Sequence, residues 1–216
     1  KESKQAQNMS AEQTNERKHE TRIQAKNRAA IKTAALQVFS ESGFRGATLD
    51  QIAESCAMSK PNVLYYFSGK EEIYRALLED LLDTWLAPLR RLDPAGEPID
   101  EIMGYVHRKI RMAEEFSMES RLFANEVLQG APRIQDFIEG DLKDLVDTKA
   151  AVIETWVNEG RISKVDPYHL IFSIWATTQH YADFEAQTRL LLPSGQEPFP
   201  EATEFLDAMF RRLLTP

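Results

Sequence analysis

The chain has 216 residues, 43% of them hydrophobic, with one cysteine and a formal net charge of −8. That length is enough to bury a real core and suits one large or two small domains. A lone cysteine excludes an intrachain disulfide and fits a reducing cytoplasm, while the longest uncharged apolar stretch, residues 170–178, is far too short to cross a bilayer. The N-terminus is polar with interspersed acids and shows no signal-peptide pattern, so the expected location is cytoplasmic.

An acidic total argues against a nucleic-acid partner only if the charge is evenly spread. It is not. Residues 1–70 carry 11 Lys and Arg against 7 Asp and Glu, a net of +4, whereas the remainder carries 15 against 27, a net of −12. A positive head on a negative body would turn the head towards a polyanion and hold the body away from it.

Residues 1–25 lack apolar periodicity and read as a mobile polar arm, whose Lys18 and Arg22, with Lys26 and Arg28 just beyond, could follow a phosphate backbone. A plain solvated tail explains the same pattern. From Asn27 to Ser42 the positions Ala30, Ile31, Ala34, Ala35, Val38 and Phe39 keep helical spacing, and Gly43 is the expected C-cap.

Thr48 is a good N-cap for a short run in which Leu49, Ile52 and Ala53 share a face, ending at Cys56, Ala57 and Met58. Ser59 caps a second run with Pro61 in its first turn and Val63, Leu64 and Phe67 as its buried stripe. Two short helices joined by about three residues describe a helix-turn-helix. With the preceding helix they make a three-helix head over residues 26–70, whose expected core is Ile31, Ala35, Leu36, Phe39, Ile52, Leu64 and Phe67. Lys60, Asn62, Tyr65 and Tyr66 fall on the polar face of the second run, supplying a cation, an amide and two phenols. Such groups reach base edges and phosphates in a major groove. No Asp or Glu occurs between Ser55 and Gly69.

Residues 71–216 read as an all-α body. Ser68 is the expected cap of a helix whose stripe, Ile73, Leu77, Leu78, Leu81, Leu82, Trp85, Leu86 and Leu89, makes a rod about 30 Å long at ~1.5 Å per residue. Pro88 should bend or end it, before a loop over residues 93–98. Further helices are expected over about 99–116, 118–129, 133–158 with an interruption near Gly140, 167–192 and 200–214. Apolar groups surround the 170–175 segment, and Phe205, Leu206, Met209, Phe210, Leu213 and Leu214 form a wide stripe. A two-fold dimer through these last helices is the expected reading of both patterns, with burial within one chain as the alternative.

The residue types around Ser42-Gly43-Phe44, Thr48, Ile52-Ala53, Ser59-Lys60, Leu64-Tyr65-Tyr66-Phe67 and Lys70-Glu71 resemble the DNA-binding head of the TetR family of bacterial transcriptional regulators. Segments further on, including Trp85 to Leu89, Arg121-Leu122-Phe123, Gly140 to Lys143 and Ile174 to Phe184, resemble the pyrimidine-utilisation regulators of that family. The resemblance implies a homodimer, DNA contacts from Thr48, Ser59, Lys60, Asn62, Tyr65, Tyr66 and Lys70, and repression released by a pyrimidine effector such as uracil. Trp85, Trp175 and Gln179 are implied among the effector's contacts, with Phe123, Tyr105 and Tyr181 as weaker candidates. Ala57 departs from the pattern, standing where a helix-turn-helix usually has glycine. No cofactor or metal is expected: His180 and Asp183 are close enough on a helix to be two ligands, but His107 and His169 have no partner at ligand spacing. A helical enzyme or metabolite-binding protein with a vestigial head is the alternative.

Overall fold

The computed structural model describes residues 22–216, and the arm expected over residues 1–25 falls almost wholly outside them. All regular structure among the described residues is helical. Helix α1 (Arg22–Gly46) begins five residues earlier than its apolar spacing suggests, so Arg22 and Lys26 ride on a helix. Gly43, at φ 65, bends its last turn.

Helix α2 (Leu49–Ser55) opens with a full capping box: the Gln51 amide donates to Thr48 Oγ1, and the Thr48 amide donates back to Gln51 Oε1. Helix α3 (Lys60–Tyr66) starts from Ser59, whose hydroxyl accepts from the Asn62 amide, with Pro61 in the first turn. Between them Ala57 sits at φ 55, a left-handed conformation that its Cβ disfavours by about 1 kcal/mol. The tight turn forces this, because the Met58 amide must reach back to the Ala53 carbonyl.

Helix α4 (Lys70–Arg90) is the rod. Ser68 does not cap it. Gly69 occupies the cap position, and the Glu72 carboxylate reaches back to the Ser68 amide, which draws its pKa down. Pro88 lies buried inside the last turn, and the helix ends two residues later, at Arg90.

The body follows with α5 (Pro98–Glu115) and α6 (Ser117–Leu128), then a single helical turn (Gln135–Phe137) and a π-turn (Ile138–Leu142) that carries the expected break at Gly140. It continues with α7 (Lys143–Asn158), α8 (Pro167–Asp183), α9 (Glu185–Leu191) and α10 (Pro198–Leu214). The single helix expected over residues 167–192 is two, broken at Phe184, whose φ of −116 leaves the helical region.

Two apolar clusters hold the molecule. One joins α5, α7, α8 and α10 through residues such as Tyr105, Val106, Trp156, Ile174 and Phe210. The other contains Ile31, Ala35, Leu36, Phe39, Ile52, Val63 and Phe67 of the head, and extends into Ile73, Tyr74, Leu78 and Leu82 of the rod and Leu122, Ala131 and Ile134 of the body. Leu64, expected in this core, is 41% exposed: Val63 and Phe67 fill the inward face of so short a helix, leaving Leu64 beside the solvent-facing residues.

Candidate functional site

The first candidate surface is the outer face of α3. Lys60, Asn62 and Tyr65 are exposed there, Tyr65 at 69%. Tyr66 is half-buried and turned against α1: its hydroxyl accepts from Asn27 Nδ2 at 2.7 Å, and its carbonyl accepts from the Arg28 guanidinium at 2.6 Å. Arg28 also lies 4.2 Å from the centre of the Phe67 ring. Tyr66 and Arg28 therefore fix the angle between α3 and α1.

Lys70, expected to reach a phosphate, has its ammonium turned inwards. It donates to the carbonyls of Phe44 and Ala47 at 2.8 and 2.9 Å and lies 4.7 Å from the Phe44 ring centre, closing the end of α1. Thr48 and Ser59 spend their side chains on their own helix caps. The stretch free of carboxylates is not free of them in space, because Asp50 on α2 forms an ion pair with Lys60 at 2.9 Å.

The second candidate is a groove of about 810 Å³ between α6 and α8, lined by residues including Arg121, Phe123, Val127, Gln179, Asp183 and Phe184. Gln179 and Phe123, expected at the effector site, are on its wall; Trp85, Trp175 and Tyr105 are not. The Trp175 indole donates to the Tyr105 hydroxyl at 2.6 Å, so these two satisfy one another, and Tyr105 is only 1% exposed. Trp85 lies one side chain further in, its ring 6.2 Å from that of Phe123.

Around Trp85 the polar groups do not balance. Its indole N–H is buried without an acceptor. Over its ring, 4.3 Å from the centre, sits the ammonium of Lys109, a residue 4% exposed whose side chain makes no hydrogen bond among the described residues. Burial pushes the Lys109 pKa down to about 7, against the opposing pull of the Asp183 carboxylate. Asp183 is shifted upward, first by its own burial, while Ser120, Arg121 and Lys109 oppose the shift. One Asp183 oxygen accepts from the fully buried Ser120 hydroxyl. An orphan buried N–H costs about 1–3 kcal/mol, so the Trp85 indole carries a donor that the described residues leave unsatisfied.

Lys109 and Ser120 were not singled out from the sequence, and Asp183 only as a possible metal ligand beside His180, though a signal for Lys109 existed. It falls on the stripe Ile102, Val106, Lys109, Ala113, a lysine at an inward helical position.

Comparison with known proteins bears on both surfaces. Residues 31–77 match the family described as bacterial regulatory proteins, tetR family, and residues 78–216 match the YcdC-like protein C-terminal region. The chain belongs to the TetR family. It is 47% identical over 167 residues to the HTH-type transcriptional regulator RutR of Escherichia coli strain K12, covering 77% of this chain and 79% of that one. It is 28% identical over 137 residues, 63% of this chain and 68% of the relative, to the negative transcriptional regulator IcaR of the biofilm operon of Staphylococcus epidermidis.

Among solved structures, the ketosteroid transcriptional regulator KstR2 of Mycobacterium tuberculosis shares the fold, with a TM-score of 0.71 at 21% identity over 88% of this chain and 95% of the other. AibR in complex with isovaleryl coenzyme A and operator DNA shares it at 0.66, with 19% identity over 84% and 96%. This TetR-family chain is a DNA-binding transcriptional regulator homologous to RutR, and not an enzyme.

Proposed function

We propose that this TetR-family chain is a homodimeric repressor that leaves its operator when a pyrimidine such as uracil enters the body. The observation that carries the effector half is the unpartnered Trp85 indole N–H, with Lys109 over its ring, next to Phe123 on the wall of a groove that also presents Gln179 and Asp183. The Gln179 side chain makes no hydrogen bond among the described residues, and its amide both donates and accepts. A flat ring with carbonyl and imide N–H edges offers what these groups need, and the 47% identity to RutR supports the same reading.

In this reading residues 26–70 bind DNA and residues 71–216 bind effector and dimerise. Lys60 meets phosphates while Asn62 and Tyr65 approach base edges. The dimer forms through α8 and α10, which bury Ile174, Leu206 and Phe210 inwards and still leave Phe172, Phe205 and Leu213 exposed at 45%, 62% and 45%. Two recognition helices about 34 Å apart would then meet successive major grooves of a palindromic operator. Effector bound beside Trp85 acts on α4, whose other end carries the head. Operator must in turn weaken effector binding by the same factor.

The test is binding to fluorescent operator DNA across a range of salt, with and without uracil. A steep fall of affinity with salt, lost with Lys60→Ala and Asn62→Ala and weakened at least tenfold by uracil, is the expected result. Operator affinity that uracil leaves unchanged would remove the pyrimidine.

A further inference from the structure

Acids outnumber bases by 27 to 15 in residues 71–216, and seven of the eleven arginines there hold an ion pair with Asp or Glu. Of the four that hold none among the described residues, Arg91, Arg108 and Arg111 line a single pocket. Glu115 is the one carboxylate on its wall; it is exposed and pairs with none of the three. In so acidic a body, three cations gathered at one place without a carboxylate partner repel one another and call for an anion from outside.

Two helices bring them together. Arg108 and Arg111 are three apart on α5 and share a face, and Arg91 follows the last turn of α4. Arg108 Nε is buried without a hydrogen-bond partner, a rare state for a polar group in a folded protein. Gly104, one turn earlier, leaves room for the same guanidinium, since a Cβ there would stand 3.3 Å from Arg108 Nη1. The pocket holds about 430 Å³, within the range of small-molecule sites, and Ala87, Pro88, Met112 and Phe116 give it an apolar lining beside the cations. It shares no residue with the groove between α6 and α8. Its stretch of α4, Thr84 to Arg91, lies about 20–30 Å along the rod from Lys70, so DNA held by α3 is not the anion it meets.

We infer that Arg91, Arg108 and Arg111 form a second ligand site, for a small organic phosphate monoester. The planar guanidinium fork matches phosphoryl oxygens, and three such forks surround a group with several of them. Charge matches too: three arginines less Glu115 leave two positive charges, and a phosphate monoester carries about −1.5 to −2 at pH 7. An ester carries a ring or chain to cover the apolar lining, which a bare phosphate leaves open. The bound ligand ties the end of α4 to α5, an input to the rod separate from the effector groove and independent of the pyrimidine reading.

The test is calorimetric titration of the full chain with phenyl phosphate, phenol and inorganic phosphate. Phenyl phosphate is expected to bind, and the other two at least tenfold more weakly. Arg108→Gln and Arg111→Gln should each weaken phenyl phosphate at least tenfold. Arg212→Gln removes the fourth unpaired arginine, outside the pocket, and should leave its affinity within twofold. Unchanged thermal midpoints without ligand check that the variants are folded. Phenyl phosphate that fails to bind wild type at millimolar concentration, or that both pocket variants bind as wild type does, would overturn the site. Phenol bound as tightly as its phosphate would overturn the anionic role, and inorganic phosphate bound as tightly as the ester would overturn the organic ligand.

Discussion

The Arg133 guanidinium, in the segment after α6, lies 3.7 Å from the centre of the Phe44 ring at the end of α1. It is thus a contact from body to head. Glu126, at 0% exposure, holds it there: the Arg133 amide and guanidinium each donate to a Glu126 oxygen at 2.9 Å. Tyr74 of the rod shares the site, its phenol pushed up to about 12 by burial first and then by the Glu126 carboxylate. Arg133→Met should leave that carboxylate buried without its cation and cost about 3 kcal/mol. Urea melts check this, and adding Glu126→Leu should restore most of the loss.

Lys60 is held by Asp50, and both are largely exposed, so the pair adds little to folding, and under the proposed function it competes with DNA for the ammonium. Asp50→Asn should raise operator affinity several-fold, most clearly at low salt, while leaving the thermal midpoint within about a degree. A loss of affinity would mean that Lys60 needs its partner to be positioned.

Ala57 is exposed and left-handed, so removing its Cβ sacrifices little burial and relieves strain. Ala57→Gly is expected to stabilise the protein by about 0.5 to 1 kcal/mol in denaturant melts. Ala57→Val, with branching at the same φ, should destabilise it by more than that.

Burial lowers the Lys109 pKa from the ordinary 10.5 to about 7. Below about pH 7 folded and unfolded chains both carry the proton, and the full cost of burying the charge is present. Above it the unfolded chain binds more protons, so this group's contribution to stability rises by about 1.4 kcal/mol per pH unit until the unfolded lysine also titrates. Lys109→Met should therefore stabilise the effector-free protein most at pH 6 to 7, with the advantage shrinking towards pH 10. Melts of both proteins across that range read the difference directly.

Much of this was legible in the sequence because the signals were local. Thr48 and Ser59 cap the helices assigned to them, Gly43 turns where a C-cap was expected, and the π-turn falls at Gly140. What misled was positional pattern at helix ends: Leu64 reads as core by spacing, yet a seven-residue helix has too little inward face to bury it beside Val63 and Phe67. Lys70 reads as a free cation because nothing in its own segment shows the Phe44 and Ala47 carbonyls waiting for it. The groove assembles Phe123 with Gln179, 56 positions apart, and no periodicity within either helix reports that neighbour. The Tyr105 and Trp175 bond is equally non-local.

The apolar cluster under the recognition surface does not stop at the end of the head, since Leu78, Leu82 and Leu122 belong to it as fully as Ile31 and Phe39. Anyone exchanging recognition modules between such regulators must therefore carry the first turns of α4 along with the graft, and must match the side chain that meets Leu122. A cut made at Lys70 would strand half of one core on each side of the seam.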